Sequence, residues 1–183
     1  WVSFSDSIYG SGSIQVHPYK SGQSVGINSS GDFEVWYLNN LASTFSSVTI
    51  GDEVNTDGIN SSVAFSVQSP ITFKAGDGPL TFAQTVTTAD DDVTFQVSGN
   101  SSVAGLDLGA GALIKNGGGK LTLNGASTYT GSTNVNGGVL LVDGSLSDVT
   151  AVSVSGGATY EVGADDVVGS IAGSGSIDWK DHQ

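Results

Sequence analysis

The sequence predicts an all-β fold, a parallel β-solenoid with coils of about 19–20 residues running as a single segment through residues 1–183. Three observations predict it. Glycines recur at a constant interval, at Gly118, Gly137, Gly156 and Gly175, one per coil. Short runs alternate apolar and polar side chains, as half-buried strands do. Strong helix formers are thin, and no window repeats with a helical period.

The runs follow one another along the chain. Ile14 and Val16, then Val63, Phe65 and Val67, then Val93, Phe95 and Val97 place apolar side chains two apart, on one face of a strand. A short apolar strand follows each of the regular glycines: Leu121 and Leu123, Leu140 and Val142, Tyr160 and Val162, Ile177 and Trp179. Their positions advance in steps of 19, 20 and 17. Upstream the register is looser. Asn-Ser-Ser recurs at Asn28, Asn60 and Asn100, with gaps of 32 and 40, the second equal to two coils of about 20. These asparagines are expected at turns, not as glycosylation acceptors. A repeat this short does not build a propeller blade; it suits three short strands joined by tight turns. Stacked about 4.8 Å apart, nine or so coils make a rod on the order of 45 Å long. An antiparallel sandwich also has short strands, but hairpin signals are sparse and a constant glycine register has no role in it.

Composition narrows the partners. The formal net charge is −13, carried against five Lys, with no Arg, no Cys and no Met. An acidic surface repels nucleic-acid phosphates and anionic headgroups, so neither is an expected partner. Without cysteine there is no disulfide, no thiol catalysis and no thiolate zinc site. No apolar run approaches the roughly 18 residues of a transmembrane helix, so direct membrane insertion of this segment is not expected. The chain opens on Trp1, Val2, Ser3 and Phe4 with no signal peptide, as expected of a piece processed or excised from something longer.

Residues 112–142 read ALIKNGGGKLTLNGASTYTGSTNVNGGVLLV. This stretch closely resembles the passenger-associated transport repeat, the autotransporter-associated β-strand repeat of exported bacterial proteins. Gly118, Gly119, Leu121, Leu123, Tyr129, Gly131, Gly137, Gly138, Leu140 and Val142 carry the motif, and Ser132 stands where a second glycine is usual. The resemblance covers residues 105–178. Residues 1–104 form less regular coils, loosely similar to filamentous-haemagglutinin-type β-helical exoproteins. The resemblance implies a right-handed β-helical passenger exported to the bacterial surface, with roles in adhesion, aggregation or presentation of a distal domain. It brings no catalytic residue and no cofactor. The residues make physical sense of the repeat. Leu121, Leu123, Leu140 and Val142 alternate inward; Thr128 and Thr130 face one way and Tyr129 the other; Asn124, Asn134 and Asn136 sit at turns or stack in amide ladders.

Candidate sites are few. Asp90, Asp91 and Asp92 form the densest acidic cluster; Asp52, Glu53 and Asp57 form another, and Asp165 with Asp166 a third. A hard cation such as Ca²⁺ draws several oxygens from flexible loops, and Asp52, Asp57, Asp90, Asp91 and Asp92 are where one would bind. No EF-hand spacing and no calcium-roll nonapeptide is present, so solvated turns are the expected role and no metal is assigned. Paired carboxylates also serve glycosidases, but Arg is absent here and Lys is scattered. His17 and His182 are remote from each other in sequence and are expected at the surface. No Gly-x-Ser-x-Gly frame supports a Ser–His–Asp triad. Trp36 and Tyr37 are adjacent, so a strand would bury one and expose the other to stack on a sugar or fill a partner's pocket. Capping an open coil end is the simpler role, expected also of Trp1, Phe4, Tyr9 and Trp179.

The expectation is a non-enzymatic, surface-exposed adhesin-type stalk that adheres to cell-surface or matrix components or to itself. Unpaired coil ends would let copies stack into filaments. The alternative is a carbohydrate-binding or polysaccharide-active β-helix, which needs a groove lined by acids, bases and aromatics on one face.

Overall fold

The computed structural model describes residues 10–17, 23–28, 33–34, 38–41, 43–54 and 56–180. Every strand pairing among them is parallel. Strands are numbered in chain order and form three stacks. The first stack holds Ser13–Val16 (β1), Ser47–Gly51 (β4), Ile71–Lys74 (β7), Val93–Gln96 (β10), Leu113–Asn116 (β13), Thr133–Val135 (β15), Ala151–Val154 (β17) and Ser170–Gly173 (β19). The second holds Phe33–Glu34 (β3), Gln23–Asn28 (β2), Thr56–Ser61 (β5), Leu80–Phe82 (β8), Ser101–Val103 (β11), Lys120–Leu123 (β14), Val139–Val142 (β16), Thr159–Val162 (β18) and Ser176–Trp179 (β20). A shorter third stack holds Phe65–Val67 (β6), Val86–Thr88 (β9) and Leu106–Asp107 (β12). From β4 onward successive strands enter different stacks, so the chain winds as a parallel β-solenoid, as the sequence predicts.

Register fixes the length of each coil. In the first stack Ser13 pairs with Ser47, Val48 with Ile71, Ile71 with Val93, Val93 with Leu113, Leu113 with Thr133, Thr133 with Val152 and Val152 with Ile171. The first coil, from Ser13 to Ser47, is therefore wide. The coils after it narrow, from the one between Val48 and Ile71 to the one between Val152 and Ile171. Eight strands so stacked span about 34 Å. That is shorter than the nine-coil rod expected, because the wide coil consumes a length of chain that a constant period assigns to more than one. Within it Leu38, Leu41 and Phe45 fold onto the core.

Alternation turns every second residue inward. Val48, Ile71, Val93, Leu113, Thr133 and Val152 make one buried column of the first stack; Ile50, Phe73, Phe95, Lys115, Val135 and Val154 make the next. In the second stack Leu121 pairs with Leu140, Leu140 with Tyr160 and Tyr160 with Ile177, the steps of 19, 20 and 17 that the sequence predicts. Phe73 ties the stacks together. Its ring lies 4.9 Å from Phe82 and 5.9 Å from Phe65, both edge-on, and 5.5 Å from Phe95, stacked. Such pairs add about 0.5–1.5 kcal/mol each beyond their burial.

Glycine lets the coils close at their corners. Gly138 has a φ of 62°, and a Cβ there would sit 2.3 Å from the Gly119 carbonyl oxygen of the coil before. Gly119 is as crowded, with 2.4 Å to the Gly99 oxygen, whereas a Cβ on Gly118 meets nothing within 4 Å.

The Asn-Ser-Ser spacing is not the coil repeat. Asn60 lies inside β5, not in a turn, and Asn28 lies in β2. Asn60 pairs with Thr81 and Thr81 with Ser102, so its column passes Asn100 by two positions. Inward positions set strand register; here the middle serines Ser61 and Ser101 are the inward, buried members of the tripeptides, whereas the asparagines do not share a column. Trp1, Phe4, Tyr9, Trp36, Tyr37 and His182 lie outside the described residues.

Candidate functional site

Residues 113–142 span two successive coils, β13 with β14 and β15 with β16, joined by the glycine corners. Leu121, Leu123, Tyr129, Leu140 and Val142 are all fully buried. Thr128 and Thr130 are exposed, so the two threonines and the tyrosine face opposite ways, as alternation predicts. The Tyr129 hydroxyl lies 2.6 Å from Thr133 Oγ1, and Thr150 Oγ1 donates to the Tyr129 carbonyl at 3.0 Å. Burial holds the Tyr129 phenol above its ordinary value. Part of the expected amide ladder forms. Asn136 Nδ2 donates to Asn116 Oδ1 at 3.0 Å, and Ser155 Oγ donates to Asn136 Oδ1 at 3.4 Å. Asn134 instead turns to Ser132 Oγ, 3.0 Å away.

Lys115 occupies an inward position between Phe95 and Val135, with no exposed surface. Its Nζ donates to the carbonyl oxygens of Asn116, Gly117 and Gly137 at 2.8, 2.9 and 3.1 Å. Gly117 and Gly137 belong to corners of adjacent coils, so the ammonium clamps one coil to the next. Burial lowers the ammonium to about 8. The sequence held a usable signal: Lys115 falls two positions after inward Leu113. Its charge argued for the surface, and only the stacked corners supply its acceptors.

Two residues of the densest acidic cluster tie coils together. Asp90 Oδ1 accepts the Ala110 N–H and Asp92 Oδ1 the Ala112 N–H, each at 2.8 Å and each one coil ahead. Asp90 has a φ of 68°. Burial, then the charges of Asp92 and Asp90, push Asp91 above the usual carboxylate range. Asp52 Oδ1 accepts the Val54 N–H at 2.8 Å, and its Oδ2 lies 3.2 Å from His17 Nδ1. Asp57 is exposed on β5. Among the described residues no group of three or more His, Cys, Asp or Glu is placed to hold a metal ion.

Glu161 faces outward on β18 yet is largely covered. It bridges Lys120 at 2.5 Å and Lys180 at 3.2 Å, joining strands of different coils. Burial pushes its carboxyl up, but the hydrogen bonds from Lys120 and Lys180 outweigh this and hold it below the usual value. At the C-terminal end, β19 and β20 are paired on one side only among the described residues. Ile177 and Trp179 lie in register over Tyr160 and Val162, and remain 44% and 62% exposed.

Three parallel stacks closed by glycine corners, with coils tied to one another by buried polar groups, define a repeat-built β-solenoid. Residues 113–142 match the family model of the passenger-associated-transport-repeat, and in this fold the chain fits an autotransporter passenger repeat protein. That family implies a secreted or surface passenger and suggests a structural role. Neither a curated protein nor a solved structure gives a significant match. Among the described residues no helix is long and apolar enough to cross a membrane.

Proposed function

We propose that this chain is a non-catalytic segment of an adhesin-type passenger displayed outside the outer membrane, a stalk that adheres or self-associates. The repeat match at residues 113–142 carries the reading. The architecture supports it. Buried columns run from coil to coil, which makes a stiff rod. The polar groups drawn inward, such as Lys115 and Tyr129, tie coils together instead of converging on a cleft.

The parallel stacking supports the self-associating part, because a coil end left uncovered offers unpaired strand edges to a second copy. The test is sizing chromatography with negative-stain electron microscopy across a concentration series. Elongated particles whose mass rises with concentration are expected. Single copies at every concentration, with no retention on matrix proteins or cell-surface glycans, would contradict the proposal.

A further inference from the structure

The chain has three Asn-Gly pairs, Asn116 with Gly117, Asn124 with Gly125 and Asn136 with Gly137, all at coil corners. We propose that the fold selects one of them, Asn124, for spontaneous conversion to aspartate and isoaspartate. The chemistry is balanced by water alone. The Gly125 amide nitrogen attacks Asn124 Cγ, forming a cyclic imide; the Cγ–Nδ2 bond breaks and ammonia leaves with the amide proton. Water then opens the imide at either carbonyl, giving aspartate or a backbone rerouted through the side chain. A following glycine favours this step because no side chain hinders the attacking nitrogen.

Selection comes from hydrogen bonding. Asn116 and Asn136 are held in the ladder, Asn136 Nδ2 on Asn116 Oδ1 at 3.0 Å and Ser155 Oγ on Asn136 Oδ1 at 3.4 Å. The Asn116 carbonyl is further pinned by Lys115 Nζ. Asn124 differs. Its backbone N–H is tied to the Val103 oxygen at 2.9 Å, but its side chain is exposed and bonds to no group among the described residues. The Gly125 N–H donates to no described group, as is true of Gly117 and Gly137, so the side-chain bonds are what set the three pairs apart. Asn124 follows Leu123, whose partner is Val142, so a new carboxylate arises one coil from Asp143. Isoaspartate is worse tolerated, because it adds a backbone methylene where space is lacking: a Cβ on Gly125 would lie 2.4 Å from the Ala104 oxygen, and one on Gly144 2.1 Å from the Gly125 oxygen. The modified corner is thus the place where the rod loosens with age.

The test is peptide mapping by mass spectrometry of the folded chain, aged in mildly alkaline, oxygen-18-labelled water. The expected result is label at Asn124 first, about tenfold ahead of Asn116 and Asn136, the factor given by a ladder hydrogen bond near the upper end of the usual net strength. Chain held in strong denaturant calibrates the method, since all three sites should then react at similar rates. Asn136→Ala, which frees the Asn116 amide, should speed labelling at Asn116. Equal rates at the three sites in the folded chain would overturn the proposal. So would an unlabelled folded Asn124 after the denatured chain has fully reacted.

Discussion

Lys115→Met keeps the length of a buried side chain and removes its charge. The ammonium sits at about 8 in the folded chain, against 10.5 for an unperturbed lysine. Below about pH 8 both folded and unfolded chains are protonated and the fold bears the cost of a buried charge. Between these values the folded chain has released its proton while the unfolded chain still binds one, so stability rises with pH. From about pH 7 to about pH 9.5 the two values give a gain of about 2 kcal/mol, or about 4–8 °C in Tm for a chain of this size. Tyr129 and Tyr160 act in the opposite sense. Their phenols are held above 10.0 by burial, so the stability they contribute is present below that value and is lost as pH rises beyond it. Native stability should therefore climb from neutral pH and turn over near pH 10. In Lys115→Met the climb should vanish. At neutral pH the variant should differ little, within about 2 kcal/mol, because relief of the buried charge offsets the loss of a donor to three carbonyls. Urea melts followed by far-ultraviolet circular dichroism at the two pH values measure this. Parallel pH dependence in the native chain and the variant would refute the reasoning.

Other substitutions test the packing. Gly138→Ala puts a Cβ against the Gly119 oxygen at a positive φ and should cost at least about 1–2 kcal/mol in denaturant melts, while Gly118→Ala, in open space, should stay within about 0.5 kcal/mol. Phe73→Ala opens the centre of the four-ring cluster and should cost about 3–5 kcal/mol, with loss of near-ultraviolet ellipticity. Burial raises the Glu161 carboxyl, but Lys120 and Lys180 outweigh it and hold the group below 4.5. It therefore contributes stability that is present above 4.5 and lost as pH falls through its folded value. Glu161→Gln should flatten that acid limb in melts from neutral to low pH.

The C-terminal register was legible residue by residue. Leu121, Leu140 and Tyr160 are buried in successive coils and Ile177 lies in register over Tyr160, so glycine spacing and side-chain alternation gave one answer. The wide first coil was not legible, because Leu38, Leu41 and Phe45 reach the core from a segment without strand period. The coil ties were written in the sequence as separations rather than motifs. Asp90 and Ala110, or Asp92 and Ala112, lie 20 apart, one coil, and Lys120 and Glu161 lie 41 apart, about two coils. Charge alone suggests solvent or a cation for such residues; only the stacking of coils supplies their partners. Lys115 shows the same limit, since a buried ammonium requires three carbonyls that no local pattern announces.

The most direct test of the parallel solenoid uses spin labels on its outer surface. Thr94, Ile114, Asn134 and Ser153 form one outward column, each paired with the next. The chain has no native cysteine to interfere, so each label is placed through a single introduced one. Distances from Thr94 to Ile114, Asn134 and Ser153 should rise in even steps, about 5, 10 and 14 Å between backbones. Distances that fail to increase along this series, or that bring Thr94 as near to Ser153 as to Ile114, would contradict the parallel coil.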